Sequence, residues 1–198
     1  MMTNKTKLAL GLSVAMGLTS VAQAATESVN ASVTVNNTID LTVNSALDFG
    51  TVSALADTSG ATTGVSTLVM PANPATAPTT TTDATSNIVE IVAGAPADLS
   101  VVGAAANYEL TITLPAGPVT VTDPSGSSDM TFELNDFTRH SYTEGNDQTF
   151  GTTTTDVGDL AFYVGATLST TAAGTTTGEN TPYADTTYTA SFDVSVDY

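Results

Sequence analysis

Beyond residue 24, apolar side chains fall almost entirely on odd positions: Val29, Ala31, Val33 and Val35, then Ile39, Leu41 and Val43. At the other end they fall on even positions through to the last residue: Tyr188, Ala190, Phe192, Val194, Val196 and Tyr198. Side chains alternate faces along a strand, so both ends predict half-buried β-strands. Shorter alternating segments lie between them, at 47–52, 64–70, 87–92, 99–102, 108–114, 119–122, 130–134 and 160–168. Clusters of Gly, Pro, Asn, Asp and Ser separate them, and no helical 3.6-residue period is found past residue 24. About ten short strands at this spacing predict an all-β chain folded as an Ig-like antiparallel β-sandwich. Residues 71–86, 138–159 and 170–182 are rich in Pro, Thr and Gly and read as long surface loops within one domain.

The first 24 residues read differently. Lys5 and Lys7 precede an apolar stretch over 8–22, and Ala22-Gln23-Ala24 has the Ala-x-Ala form of an export cleavage site. The expected organisation is a signal peptide over 1–24, an N-terminal arm over 25–43 and a sandwich domain over 44–198. The apolar stretch is short for a membrane anchor, and no later segment could span a bilayer as a helix.

Thr makes up about a fifth of the residues after 24, which reinforces the strand reading, since Thr is a strand former and a poor helix former. The chain carries three Lys and Arg against 20 Asp and Glu. Cleavage after Ala24 would leave Arg139 alone against those 20 acids, a net charge of −19. Such a surface repels nucleic acid and anionic lipid. With no Cys, the fold must be held by core burial and sheet hydrogen bonds. With no Lys after residue 7, Lys–Asn isopeptide cross-links are excluded from the exported part.

Enzymatic chemistry finds little support. The single His, His140, stands beside Arg139 in no catalytic pattern and reads as a solvated loop residue. There is no Gly-x-Ser-x-Gly and no phosphate-cradling loop. Carboxylate-pair hydrolysis of sugars has acids to draw on, but there is no Trp to form a sugar platform. No cofactor is expected, with one partial exception. Asp123-Pro-Ser-Gly-Ser-Ser-Asp129 places two carboxylates around a Gly turn, so Asp123 and Asp129 are candidate Ca²⁺ ligands, and the segment 144–147 is similar. Asp and Gly are also ordinary turn formers. The C-terminal alternation has the outline of an outer-membrane barrel strand, but aromatics for interfacial girdles are few.

From Leu47 onward the chain resembles a large bacterial family of exported β-sandwich domains of unknown function. The resemblance rests on Leu47-Asp48-Phe49-Gly50, on Tyr-Glu-Leu-Thr-Ile-Thr-Leu-Pro over 108–115, on Met-Thr-Phe-Glu-Leu over 130–134, on Val-Gly-Ala-Thr-Leu over 164–168 and on the closing strand. The segment 30–41 also resembles the start of cysteine-free, alpha-class chaperone–usher pilins, in which an N-terminal strand completes the sheet of the adjacent subunit. That resemblance implies a homopolymer, a periplasmic chaperone and an outer-membrane usher as partners, with a cell-surface or periplasmic location.

The resulting expectation is a structural subunit of a surface fibre. Val29, Ala31, Val33, Val35, Ile39 and Leu41 form the candidate donor strand, with Ile39 and Leu41 either extending it or packing at home. Phe192, Val194, Val196 and Tyr198 form the closing strand. The competing expectation is a monomeric exported sandwich that binds Ca²⁺ or carbohydrate through its loops.

Overall fold

The computed structural model describes residues 27–35, 38–59, 64–143, 146–148, 158–171 and 180–198. The signal-peptide reading of 1–24 therefore lies outside the described residues, as do parts of the 144–147 segment and of the two later Thr-rich loops. Two compact units are present, Met1–Val35 and Asn36–Tyr198. In the first, residues 27–35 form no strand, and Val29, Val33 and Val35 are exposed.

The second unit is an antiparallel β-sandwich with no helix among the described residues. Among the described residues thirteen strand segments stand where about ten were expected, one of them a two-residue pairing. The larger layer is built on β11 (Leu160–Thr170), flanked along one side by β9 (Phe132–Thr143). On its other side β6 (Ala97–Val102) pairs first, then β3 (Thr67–Met70). The outer members are β1 (Asp40–Ser45) on β6, β4 (Thr79–Thr81) on β3, and β8 (Val119–Val121) with β10 (Asn146–Gln148) on β9. The smaller layer comes in two pieces. One is β5 (Asn87–Val92), β2 (Thr51–Ala56) and β12 (Thr181–Pro182); the other is β7 (Thr111–Thr113) with β13 (Ser195–Asp197).

Alternation explains how the layers hold together. Leu99 and Val101 of β6, Leu160, Phe162 and Val164 of β11, and Ile112 of β7 turn inward into one buried cluster. Leu68, Phe132, Leu134 and Leu168 meet Ala54 of β2 and Ile88 of β5 in another. The apolar faces thus point into the sandwich, the reverse of a membrane barrel, whose apolar band faces out. No helix among the described residues is long and apolar enough to cross a membrane.

Gly165 lies where β11 changes partner from β6 to β3. A Cβ there would collide with the backbone of Met70, Pro71 and Ala72, which crosses directly over it. Backbone cannot step aside as a flexible side chain can, so Gly165→Ala is expected to cost on the order of 2–3 kcal/mol of stability. A urea melt of the two proteins checks this.

Several strands differ from expectation. The segment read as a strand ending at residue 134 continues as β9 to Thr143, inside the expected 138–159 loop. The pairing of β11 with β9 shifts register between Gly165 and Thr167, and Asp136 there has φ 49°. This bulge breaks the alternation that would have signalled a continuing strand. It also moves His140 from the expected solvated loop to a buried position on β9. The expected strand over 108–114 shortens to Thr111–Thr113, and the long closing strand shortens to Ser195–Asp197.

Candidate functional site

Leu47-Asp48-Phe49-Gly50 leads the chain into β2. Leu47 and Phe49 pack against the two core clusters. The Asp48 carboxylate accepts the Gly50 N–H at 2.8 Å, and Gly50 turns at φ 71° against the Val92 carbonyl, where a side chain would clash. The motif is thus a turn that seats the start of β2 beside β5.

The opposite edge of β2 is where the smaller layer is incomplete. β12 pairs with Ala56 and Leu55, and the Tyr183 N–H donates to the Ala54 carbonyl at 3.1 Å. Among the described residues the ladder then stops. The chain over 184–190 draws away and attaches to β8 through Thr189, which exchanges two hydrogen bonds with Thr122 at 2.8 and 3.0 Å. The gap between β2 and this segment is a groove of about 800 Å³. Val121, Phe132, Leu134 and Leu168 of the larger layer line it, together with Tyr183 and Tyr188 of the C-terminal segment.

Strand alternation says what the β2 rim offers. Ala54 presents its carbonyl to the groove side, so Val52, two residues back, presents its N–H and C=O there too. The result is a groove with the edge of β2 on one side, the segment carrying Tyr188 on the other and an apolar floor.

The predicted donor residues divide. Ile39 and Leu41 pack against the first core cluster, Leu41 from within β1, which pairs with β6. They belong to the body, and the expected arm over 25–43 is shortened accordingly. Val29, Val33 and Val35 are 91%, 86% and 72% exposed. Ala31 is exposed as well. Of the closing residues, Phe192, Val194 and Val196 pack against the core as their even positions predict. Tyr198 is tied down at the surface: its hydroxyl accepts the Ala105 N–H at 2.9 Å, and its ring stands edge-on to Tyr108 at 5.4 Å.

Asp123 and Asp129, the candidate cation ligands, stand in different settings. The Asp123 carboxylate already accepts the backbone N–H groups of Ser125, Ser127 and Ser128 and the hydroxyls of Ser125, Ser127 and Thr186. Six donors thus converge on this one carboxylate. Asp129 is exposed, and no group of three or more His, Cys, Asp or Glu suited to a metal lies together among the described residues. Asp123 staples the loop after β8 to Thr186 in the C-terminal segment.

The Ser127 hydroxyl, followed by that of Ser125, holds the Asp123 carboxyl well below the usual carboxylate range. A lowered folded-state pKa stabilises the fold above the unfolded-state value, about 4, and that contribution is lost as pH falls toward the folded value. Asp123→Asn is therefore expected to melt lower than the wild type at pH 7 and to lose less on acidification below about pH 4. Melts followed by circular dichroism from pH 2 to 7 test this.

Arg139 donates to the Ile112 carbonyl, tying β9 to β7 across the sandwich. Phe132 and Tyr183 stack on each other at 4.0 Å, so those faces are not presented as a sugar platform.

Comparison with known proteins finds no matching family model, no matching curated protein and no matching solved structure.

Proposed function

We propose that this chain is a structural subunit of a cell-surface fibre, in which the arm of one copy fills the groove of the next. The observation that carries the proposal is the groove itself: a gap of about 800 Å³ beside the edge of β2, with apolar side chains beneath. Its occupant is a strand with one apolar face. Val29, Ala31, Val33 and Val35 supply such a face within this chain and leave it in solvent.

Charge points to the same occupant. The body is strongly acidic, so an acidic strand would be repelled. Residues 28–39 carry no charge at all. Reach is also adequate: eight residues over 28–35 extend about 26 Å, against about 20 Å for the six of β2.

Magnitudes show what the joint needs. Burying three valines contributes on the order of 1.5–3 kcal/mol each, and association costs roughly 4–15 kcal/mol. Apolar burial alone, about 4.5–9 kcal/mol, covers only part of that range. Hydrogen bonds along the edge of β2, each about 0.5–1.5 kcal/mol net, add to it. Strand donation provides both terms at once. Export to the surface, with a chaperone and an usher as assembly partners, is the setting that the pilin resemblance supports.

Negative-stain electron microscopy of the protein beginning at residue 25 tests the reading. Filaments are expected from it, and none from a version lacking 25–35. Single particles from both, with chaperone and usher supplied, would contradict it.

A further inference from the structure

Two tyrosines five residues apart stand on the groove wall and differ in one respect. The Tyr183 hydroxyl donates to the Thr131 carbonyl at 2.8 Å and accepts the Thr171 N–H at 3.1 Å. The Tyr188 hydroxyl is enclosed, yet it has no hydrogen-bond partner among the described residues. Its ring packs against the second core cluster and stands edge-on to Phe132 at 5.2 Å and to Tyr183 at 5.7 Å. A phenol oxygen shut away from water without a partner is a destabilised arrangement.

The chain carrying Tyr188 is anchored on both sides of that residue. Its main chain is tied to neighbouring strands at Tyr183, on Ala54, and at Thr189, on Thr122, with a local turn from Thr186 N–H to Ala184 O between them. An incoming strand would bring its own N–H and C=O groups, every second residue, to this rim.

We propose that Tyr188 is a positioning residue for the donated strand: its ring turns out of the wall as the strand enters, and its hydroxyl bonds the donor's main chain. The inference rests on the strand-donation reading and adds a specific residue to it. The unpartnered hydroxyl makes the empty groove the poorer state and the filled groove the better one. Such a difference favours assembly without demanding a stronger subunit.

The test uses the full chain carrying Val33→Asp as an acceptor that cannot itself donate, with a synthetic peptide of residues 27–37 as donor. Calorimetric titration compares this acceptor with one that also carries Tyr188→Phe, and each is melted without peptide. The expected result is peptide affinity about ten-fold weaker for Tyr188→Phe, with an unchanged or slightly higher melting temperature when empty. Equal affinities would overturn the role of Tyr188 and leave strand donation standing. A lower melting temperature without peptide would also overturn it, because the hydroxyl would then already be serving the lone subunit. No peptide binding to either acceptor would overturn strand donation itself.

Discussion

Exchanging Val33 for aspartate is expected to stop filament growth while leaving the melting temperature of the single subunit unchanged. Val33 is 86% exposed, so the folded unit loses nothing when it is replaced. In the filament the same position would lie over the apolar floor made by Phe132, Leu134 and Leu168. Substitution there removes about 1.5–3 kcal/mol of burial and adds the cost of desolvating a carboxylate with no partner. Together these exceed about 4 kcal/mol, roughly a thousand-fold in the association constant. Sedimentation of assembled material, alongside a thermal melt, separates the two effects. Val33→Ser, which keeps the strand neutral, should weaken assembly by a smaller step.

Phe162→Ala is expected to be the most damaging change to the subunit itself. Phe162 is fully buried at the centre of the first cluster, on β11 between Leu99 of β6 and Ser141 of β9. Truncating a buried Phe costs about 3–5 kcal/mol, transfer and cavity terms together. For a domain of this size each kcal/mol moves the melting temperature by about 2–4 °C, so a loss of about 6–20 °C is expected. The chain has no Cys to cross-link it, so nothing covalent limits the loss. Val89→Ala, on the exposed face of β5, serves as the control and should move the melt by less than about 2 °C.

The parts of the fold readable in advance are strands dense in apolar residues, whether or not a whole face is buried. The run over 87–92 became β5 residue for residue, and the alternation from Leu160 to Leu168 lies within β11. Reading failed where the phase slips. One residue near Asp136 displaces the pattern, so the second half of β9 looked like loop and His140 looked solvated. The even positions near the C-terminus correctly gave Phe192, Val194 and Val196 as inward. They overstated the ladder, because inward side chains do not require a paired backbone. The groove was not legible at all. It is a gap between residues 51–56 and 183–190, more than a hundred positions apart, and no local pattern reports a missing neighbour. Its one trace in the sequence is the Asp185-Thr186-Thr187 cluster, just ahead of the C-terminal alternation, where the chain leaves β2.

The inner wiring of the candidate cation loop was hidden for a related reason. Spacing placed carboxylates and hydroxyls together, as a Ca²⁺ loop would. It could not show that the Ser125 and Ser127 hydroxyls point at Asp123.

Disulfide trapping tests the central claim most directly. The native chain contains no Cys, so Val33→Cys in the arm and Val52→Cys on the groove rim would be the only thiols present. Oxidised and run without reductant, the doubly substituted protein should give a ladder of covalent multimers that collapses to monomer on reduction. A faster-migrating monomer with an internal link would instead mean that the arm fills its own groove. That result would contradict assembly by donation between copies.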